Sequence, residues 1–140
     1  MAGIDTSAVR NLAAQELEAL VEMMFLAASA DGELADEEKK LFESSVKSFA
    51  GDKLDGARLA ALLAGAKKAL DASSREARLA SVKERLTDPG ARKVALGLAI
   101  QVTAADGIIR TSERELIMDT AEALEIDRDE AADLVRDLTA

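Results

Sequence analysis

The sequence predicts an all-α fold, a compact bundle of six to seven helices. Ala, Leu, Glu, Lys and Arg dominate the 140 residues, and all of these are strong helix formers. Apolar side chains recur at spacings of three and four residues, which is the period of an amphipathic helix. Only one Pro and eight Gly interrupt the chain. A chain of this length is expected to form a single domain, here 1–140.

The first three helices are predicted from their ends. A first helix over about 7–29, with a break near its start, ends at Asp31-Gly32, because Gly adopts the left-handed conformation that helix C-termini often need. A second covers about 36–49, and a third runs from its N-cap Asp55 to about 71. The core-facing side chains predicted for the first two helices are Leu17, Leu20, Val21, Met24, Phe25, Leu41, Phe42 and Val46.

The remaining four helices are predicted from caps and breakers in the same way. A serine pair begins the fourth helix, and an Asp-Pro-Gly segment separates it from the fifth, with Pro in the first turn. A second Asp-Gly pair ends the fifth helix, and an Asp three residues before a Glu begins the last one. The predicted ranges are 73 or 74 to 88, 89–105, about 112–124 and 127–138.

Two of these segments form an internal repeat. A shift of 75 residues lays Ala30-Asp31-Gly32 on Ala105-Asp106-Gly107, and it lays Glu38 on Glu113. Each copy is therefore a helix, an Asp-Gly turn and an acidic helix start. Two copies predict a pseudo-two-fold arrangement, because a solenoid needs three or more repeats. The copies span about 17–49 and 92–124, and a basic middle at about 58–93 separates them.

The repeat supplies two carboxylates from each copy to a candidate metal site. If the copies pack about a pseudo-two-fold axis, Asp31, Glu38, Asp106 and Glu113 converge. Two carboxylates about 5 Å apart repel by roughly 3 kcal/mol at an effective dielectric of about 20, so four of them require protons or a cation. Oxygen ligands favour a hard divalent ion (Ca²⁺, Mg²⁺ or Mn²⁺) over zinc or copper. The alternative is structural, because Asp-Gly is a common turn and the helix dipole stabilises a Glu at a helix N-terminus.

The composition excludes several other chemistries. The chain has no Cys, His, Trp or Tyr, which excludes thiolate nucleophiles, Ser-His-Asp triads and His-ligated zinc. An EF-hand is excluded too, because its loop alternates acidic ligands before a central Gly, whereas Gly here follows the first Asp directly. Metal-assisted hydrolysis is a minor alternative. The sequence offers it no phosphate-binding Gly loop and no activated nucleophile, so no catalytic residue is predicted.

The duplicated motif resembles the TerB-like family, which includes bacterial tellurite-resistance protein B and the N-terminal module of a membrane-anchored DnaJ-like co-chaperone. The family pattern is a helix ending in Ala/Ser-Asp-Gly, followed by an acidic helix start, present twice. It corresponds to Ala-Asp-Gly-Glu-Leu-Ala-Asp-Glu-Glu at 30–38 and to Ala-Asp-Gly-Ile-Ile-Arg-Thr-Ser-Glu at 105–113. The Pro-started helix at 88–105 and the segment 123–127 are also similar, and the resemblance covers about 17–138.

The resemblance implies a compact all-α fold and a metal site at the same four acidic residues, with Glu37 as a weaker neighbour in the first copy. It implies a non-enzymatic metal-binding or protein-interaction module of a tellurite-resistance or envelope-stress system. A metal-free structural adaptor or co-chaperone-type domain is the alternative. The family often has Ser or Thr as the N-cap where this chain has Ala35 and Arg110. Asp36 and Thr111 or Ser112 are therefore predicted to cap, one or two residues later.

The net charge of −9 conceals a basic middle, since 58–93 holds nine basic and four acidic residues. Two interpretations are open, namely solvated faces of two amphipathic helices or a docking surface for an acidic protein or the anionic inner leaflet. The resemblance implies protein partners of a stress-response complex, with membrane association as an option. The acidic balance argues against nucleic acid. Without a signal peptide or transmembrane segment, a cytoplasmic location is expected, with the inner membrane face as an alternative.

Overall fold

The computed structural model describes residues 7–9, 12–29, 34–105 and 108–139. Within these ranges the chain forms seven α-helices and no strand, which confirms the predicted all-α fold. Short 3₁₀ turns lie at Ser7–Val9 and Gly51–Lys53. The helices are α1 (Ala14–Ala28), α2 (Asp36–Ala50), α3 (Gly56–Ala72), α4 (Arg75–Arg85), α5 (Pro89–Thr103), α6 (Thr111–Ala123) and α7 (Arg128–Thr139). None of the described helices is long and apolar enough to cross a bilayer.

Four helices begin at side-chain caps, and the sequence predicts three of them, all except Asp88. Oxygens of Asp55, Ser74 and Asp88 each accept a hydrogen bond from the backbone N–H three residues further on, at 2.8, 3.1 and 3.1 Å. Asp127 does the same at the start of α7. These bonds satisfy N–H groups that have no partner inside the helix. The starts of α3, α4, α5 and α7 are therefore set by local chemistry.

The predicted caps of α2 and α6 are wrong. Both helices begin one position after Ala35 and Arg110, whose side chains accept no capping hydrogen bond. The third residue of each helix supplies the cap instead. Oε1 of Glu38 accepts from the N–H of Ala35, and Oε1 of Glu113 accepts from the N–H of Arg110, both at 2.9 Å. This is one half of a capping box, and it removes the need for Asp36, Thr111 or Ser112 to act as a cap.

Two central helices, α1 and α5, form the core. Ten of the fifteen residues of α1 and eleven of the fifteen residues of α5 are buried, and these two helices make the most extensive contact in the fold. The core-facing side chains predicted for the first helix are all buried; in the second, Phe42 and Val46 are buried and Leu41 is half-buried. The remaining helices cover this central pair.

The internal repeat is visible in the helix bounds and in the packing. Adding 75 to the bounds of α1 gives the bounds of α5, and adding 75 to the first residue of α2 gives the first residue of α6. Packing is also exchanged between the copies, because α2 packs on α5 while α6 packs on α1, although α6 also contacts α5 of its own copy. A pseudo-two-fold arrangement produces this exchange. It brings the first turns of α2 and α6 to one cavity.

Four of the nine basic residues of the middle bind inside the fold, three of them from α4. Arg78 donates two hydrogen bonds to the buried carboxylate of Glu22 on α1, at 2.7 and 2.9 Å, and Arg85 donates a further one. Arg75 donates to the carbonyl oxygens of Leu26 and Ser29 at the end of α1. Three arginines of α4 therefore bind α1, so neither solvation nor docking describes their role.

Arg92 plays the same part between helix ends. Its guanidinium is buried and donates to the carbonyl oxygens of Lys83, Leu86 and Leu124, at 2.8, 2.6 and 3.0 Å. These carbonyls lie at the ends of α4 and α6, where no helical N–H remains to pair with them. Arg92 thereby ties α5 to two neighbouring helices.

Candidate metal centre

The first turns of α2 and α6 line a single cavity of about 350 Å³. Glu38 comes from the first repeat copy and Glu113 from the second, and Thr103 at the end of α5 lies beside them. The structure therefore brings together two of the four predicted ligands. The other two, Asp31 and Asp106, lie outside the described residues. The remaining lining residues are Ala35, Asp36, Glu37, Ala105 and Arg110.

The cavity is strongly acidic. Its described lining carries four carboxylates and one guanidinium, that of Arg110, which lies 3.5 Å from Glu113. Two helix N-termini, each equivalent to roughly half a positive charge, offset part of this negative charge. The attraction for a cation must therefore come from the carboxylates. Because the available donors are all oxygens, they suit Ca²⁺, Mg²⁺ or Mn²⁺.

The two glutamates combine a structural role with an available oxygen. Each uses Oε1 to cap its own helix, and this bond fixes the side chain at the cavity wall. Within the described part of the chain, Oε2 of neither glutamate accepts a hydrogen bond. The capping interpretation and the metal interpretation are therefore compatible, since a carboxylate has lone pairs for both.

Thr103 is a cavity residue that the sequence analysis missed. Its Oγ1 is buried and has no hydrogen-bond partner among the residues that the structure describes, although buried hydroxyls are almost always paired. Thr120, in contrast, donates from Oγ1 to the carbonyl oxygen of Leu116 at 2.8 Å. The position that corresponds to Thr103 in the first repeat copy is Ala28. The alignment of the two repeat copies therefore gives no signal for Thr103.

The substitution Thr103→Val is expected to raise the free energy of unfolding by about 1 kcal/mol in the absence of a cation. Valine has nearly the same shape and removes an unpaired buried hydroxyl, whose desolvation costs about 1–3 kcal/mol. The matched substitution Thr120→Val removes a hydroxyl that is paired, so it should lower stability by about 1 kcal/mol. Urea denaturation of both variants in EDTA measures the difference, and equal losses would show that Thr103 has a partner.

The described acidic residues do not complete a ligand shell by themselves. Across 7–9, 12–29, 34–105 and 108–139, no group of three or more acidic side chains is placed to hold a metal ion. Further ligands must come from Asp31, Asp106 or water. Asp106 directly follows Ala105, which lines the cavity.

No family model, no curated protein and no solved structure matches this chain.

Proposed function

We propose that the protein is a non-enzymatic module that holds a hard divalent cation between its two repeat copies and interacts with other proteins. One observation carries the proposal. Glu38 and Glu113 are 75 residues apart in sequence, yet they line the same cavity, beside a buried hydroxyl that has no partner within the described ranges. A cation there would neutralise part of the local charge and link the two copies. Asp31 and Asp106 complete the proposed ligand set.

The resemblance to the TerB-like family suggests where such a module works. We place it in a tellurite-resistance or envelope-stress system, in the cytoplasm or at the inner membrane face, among protein partners of that system. The duplicated Asp-Gly motif supports this placement, and the all-helical fold agrees with it. The proposal assigns no catalytic residue.

A metal-free structural adaptor is the second candidate, and one observation favours it. The Oε1 atoms of Glu38 and Glu113 already satisfy backbone N–H groups without a metal ion. On this alternative the acidic first turns serve only to start α2 and α6.

Thermal melts distinguish the two functions. After EDTA treatment, saturation with Ca²⁺, Mg²⁺ or Mn²⁺ at about 100 times its dissociation constant should add about 2.7 kcal/mol to the free energy of unfolding. The melting midpoint should then rise by several degrees. The double variant Glu38→Gln plus Glu113→Gln should lose this response. Its stability in EDTA should fall by less than about 1 kcal/mol, because Gln can replace Glu in a capping box.

Glu16 provides the matched control. It caps α1 in the same way, accepting from the N–H of Ala13 at 3.2 Å, but it does not line the acidic cavity. The variant Glu16→Gln should keep the full response to the cation. A wild-type protein that no divalent ion stabilises would favour the adaptor, and so would a response that survives in the double variant.

A further inference from the structure

A second cavity, separate from the acidic one, lies between the start of α2 and the side of α3. We call it the α3 groove, and its volume is about 350 Å³. Buried Phe25 and half-buried Leu34 and Leu63 give it an apolar surface, and exposed Ala60 and Ala64 form its wall on α3. Of the residues that the structure describes, none lines both this cavity and the acidic one.

The α3 groove exists because α3 is covered on only part of its surface. Of its seventeen residues, Leu59 and Ala66 alone are buried, and its main contacts are with α1 and α4. Between α3 and α2 no other described helix covers the apolar surface that lines the groove. Small side chains at Ala60 and Ala64, one helical turn apart, allow another backbone to approach closely.

Two lysines give the groove its charge. Lys39 on α2 and Lys67 on α3 line it, and they are its only charged lining residues among those described. Lys39 is exposed and has no acidic partner within the described ranges. Lys67 lies 3.8 Å from Asp71 in an exposed pair, an arrangement that contributes little. An apolar groove flanked by two lysine ammonium groups fits a ligand that has an apolar stripe and flanking negative charges.

We propose that the α3 groove binds an acidic amphipathic helix of a partner protein. Amphipathic helices commonly bind by laying an apolar face into such a groove. From Ala60 to Lys67 the wall extends about 10 Å along α3, which matches roughly two turns of a bound helix. A bilayer fits less well, because its flat surface does not enter a concavity between two helices.

A synthetic peptide tests the proposal on the 140-residue chain. The probe is an amphipathic helix with Leu at three- and four-residue spacing and Glu beside the Leu stripe. Its control carries Lys in place of every Glu. We expect the acidic peptide to shift the amide resonances of 34–39 and 60–67 in NMR titrations. We also expect the basic peptide to bind at least about tenfold more weakly.

Two charge reversals on α3 form a matched pair. Lys67→Glu changes the groove, whereas Lys68→Glu makes the same change of net charge at an exposed position outside it. The first should weaken the acidic peptide about tenfold and the second by less than about threefold. The proposal is overturned if the acidic peptide does not bind, if both reversals weaken it equally, or if the shifts lie elsewhere. It is also overturned if anionic phosphatidylglycerol vesicles, rather than the peptide, shift the groove resonances.

Discussion

The variant Glu22→Gln is expected to lower the free energy of unfolding by about 3 kcal/mol at pH 7. Glu22 is 6 % exposed and accepts hydrogen bonds from both Arg78 and Arg85. Removing one member of a buried ion pair costs about 3–5 kcal/mol. We expect the lower end of this range, because the side chains of Arg78 and Arg85 are 27 % and 32 % exposed and can be partly resolvated. Urea denaturation followed by circular dichroism measures the loss.

The pH dependence of this loss identifies its cause. Burial acts to raise the pKa of Glu22, but the hydrogen bonds and charges of Arg78 and Arg85 outweigh it, so this pKa is lowered from 4.5. A carboxylate with a lowered folded-state pKa stabilises the fold above its unfolded pKa, and this stability is lost as the pH falls through the folded value. The difference between wild type and Glu22→Gln should therefore shrink below about pH 4.5. A difference that stays constant with pH would indicate a packing defect instead.

Exposed Glu18 on the same helix is the control for Glu22. It lies one turn earlier on α1 and forms no ion pair with α4 among the described residues. The variant Glu18→Gln makes the same chemical change and should alter stability by less than about 0.5 kcal/mol. A comparable loss in both variants would contradict the role given to the buried network.

The variant Arg92→Met is expected to cost about 3 kcal/mol of stability. Methionine can fill the volume of the arginine stem, but it leaves three carbonyl oxygens at the ends of α4 and α6 without their donor. Hydrogen bonds from a charged group are each worth about 1.5–3 kcal/mol, and relaxation of the helix ends recovers part of this. The variant Arg92→Lys should keep only a minor part of this stability. One ammonium group cannot reach three oxygens in the planar arrangement of a guanidinium. Urea denaturation of both variants measures these losses.

The neighbouring residue provides the comparison for Arg92. Lys93 is exposed and pairs with Glu130 at 3.0 Å on the surface. Lys93→Met should change stability by no more than about 1 kcal/mol, as is usual for exposed pairs. If Arg92→Met behaves like Lys93→Met, the buried guanidinium does not hold the helix ends together.

Helix positions were predictable because their determinants are local. Asp55, Ser74 and Asp127 cap the helices that the sequence assigned to them. The prediction failed at α2 and α6, where the cap is supplied from inside the helix by the third residue. The sequence does contain that signal, because each of these glutamates stands three residues after the true N-cap.

The roles of the basic residues were not predictable, because their partners are distant in sequence. Arg78 and Arg85 bind a carboxylate 56 and 63 residues away, and Arg92 reaches a carbonyl 32 residues away. One hint was available. Glu22 interrupts an otherwise apolar stretch, and a buried charge there requires a cationic partner.

The candidate site was predictable in part, through the repeat. The 75-residue shift pairs Glu38 with Glu113, and the structure places both at one cavity. Thr103 has no counterpart of its own kind in the first copy, so only the three-dimensional packing could add it. Asp31 and Asp106 remain predicted ligands.

An anomalous difference map from crystals grown with Mn²⁺ tests the metal site most directly. The proposal predicts one strong peak between Glu38 and Glu113, within coordination distance of oxygen atoms from both repeat copies. Crystals of the Glu38→Gln plus Glu113→Gln variant, grown with Mn²⁺ in the same way, should lack this peak. A cavity without manganese in the wild-type map, or an ion bound by one copy alone, would contradict the claim that a cation links the two copies.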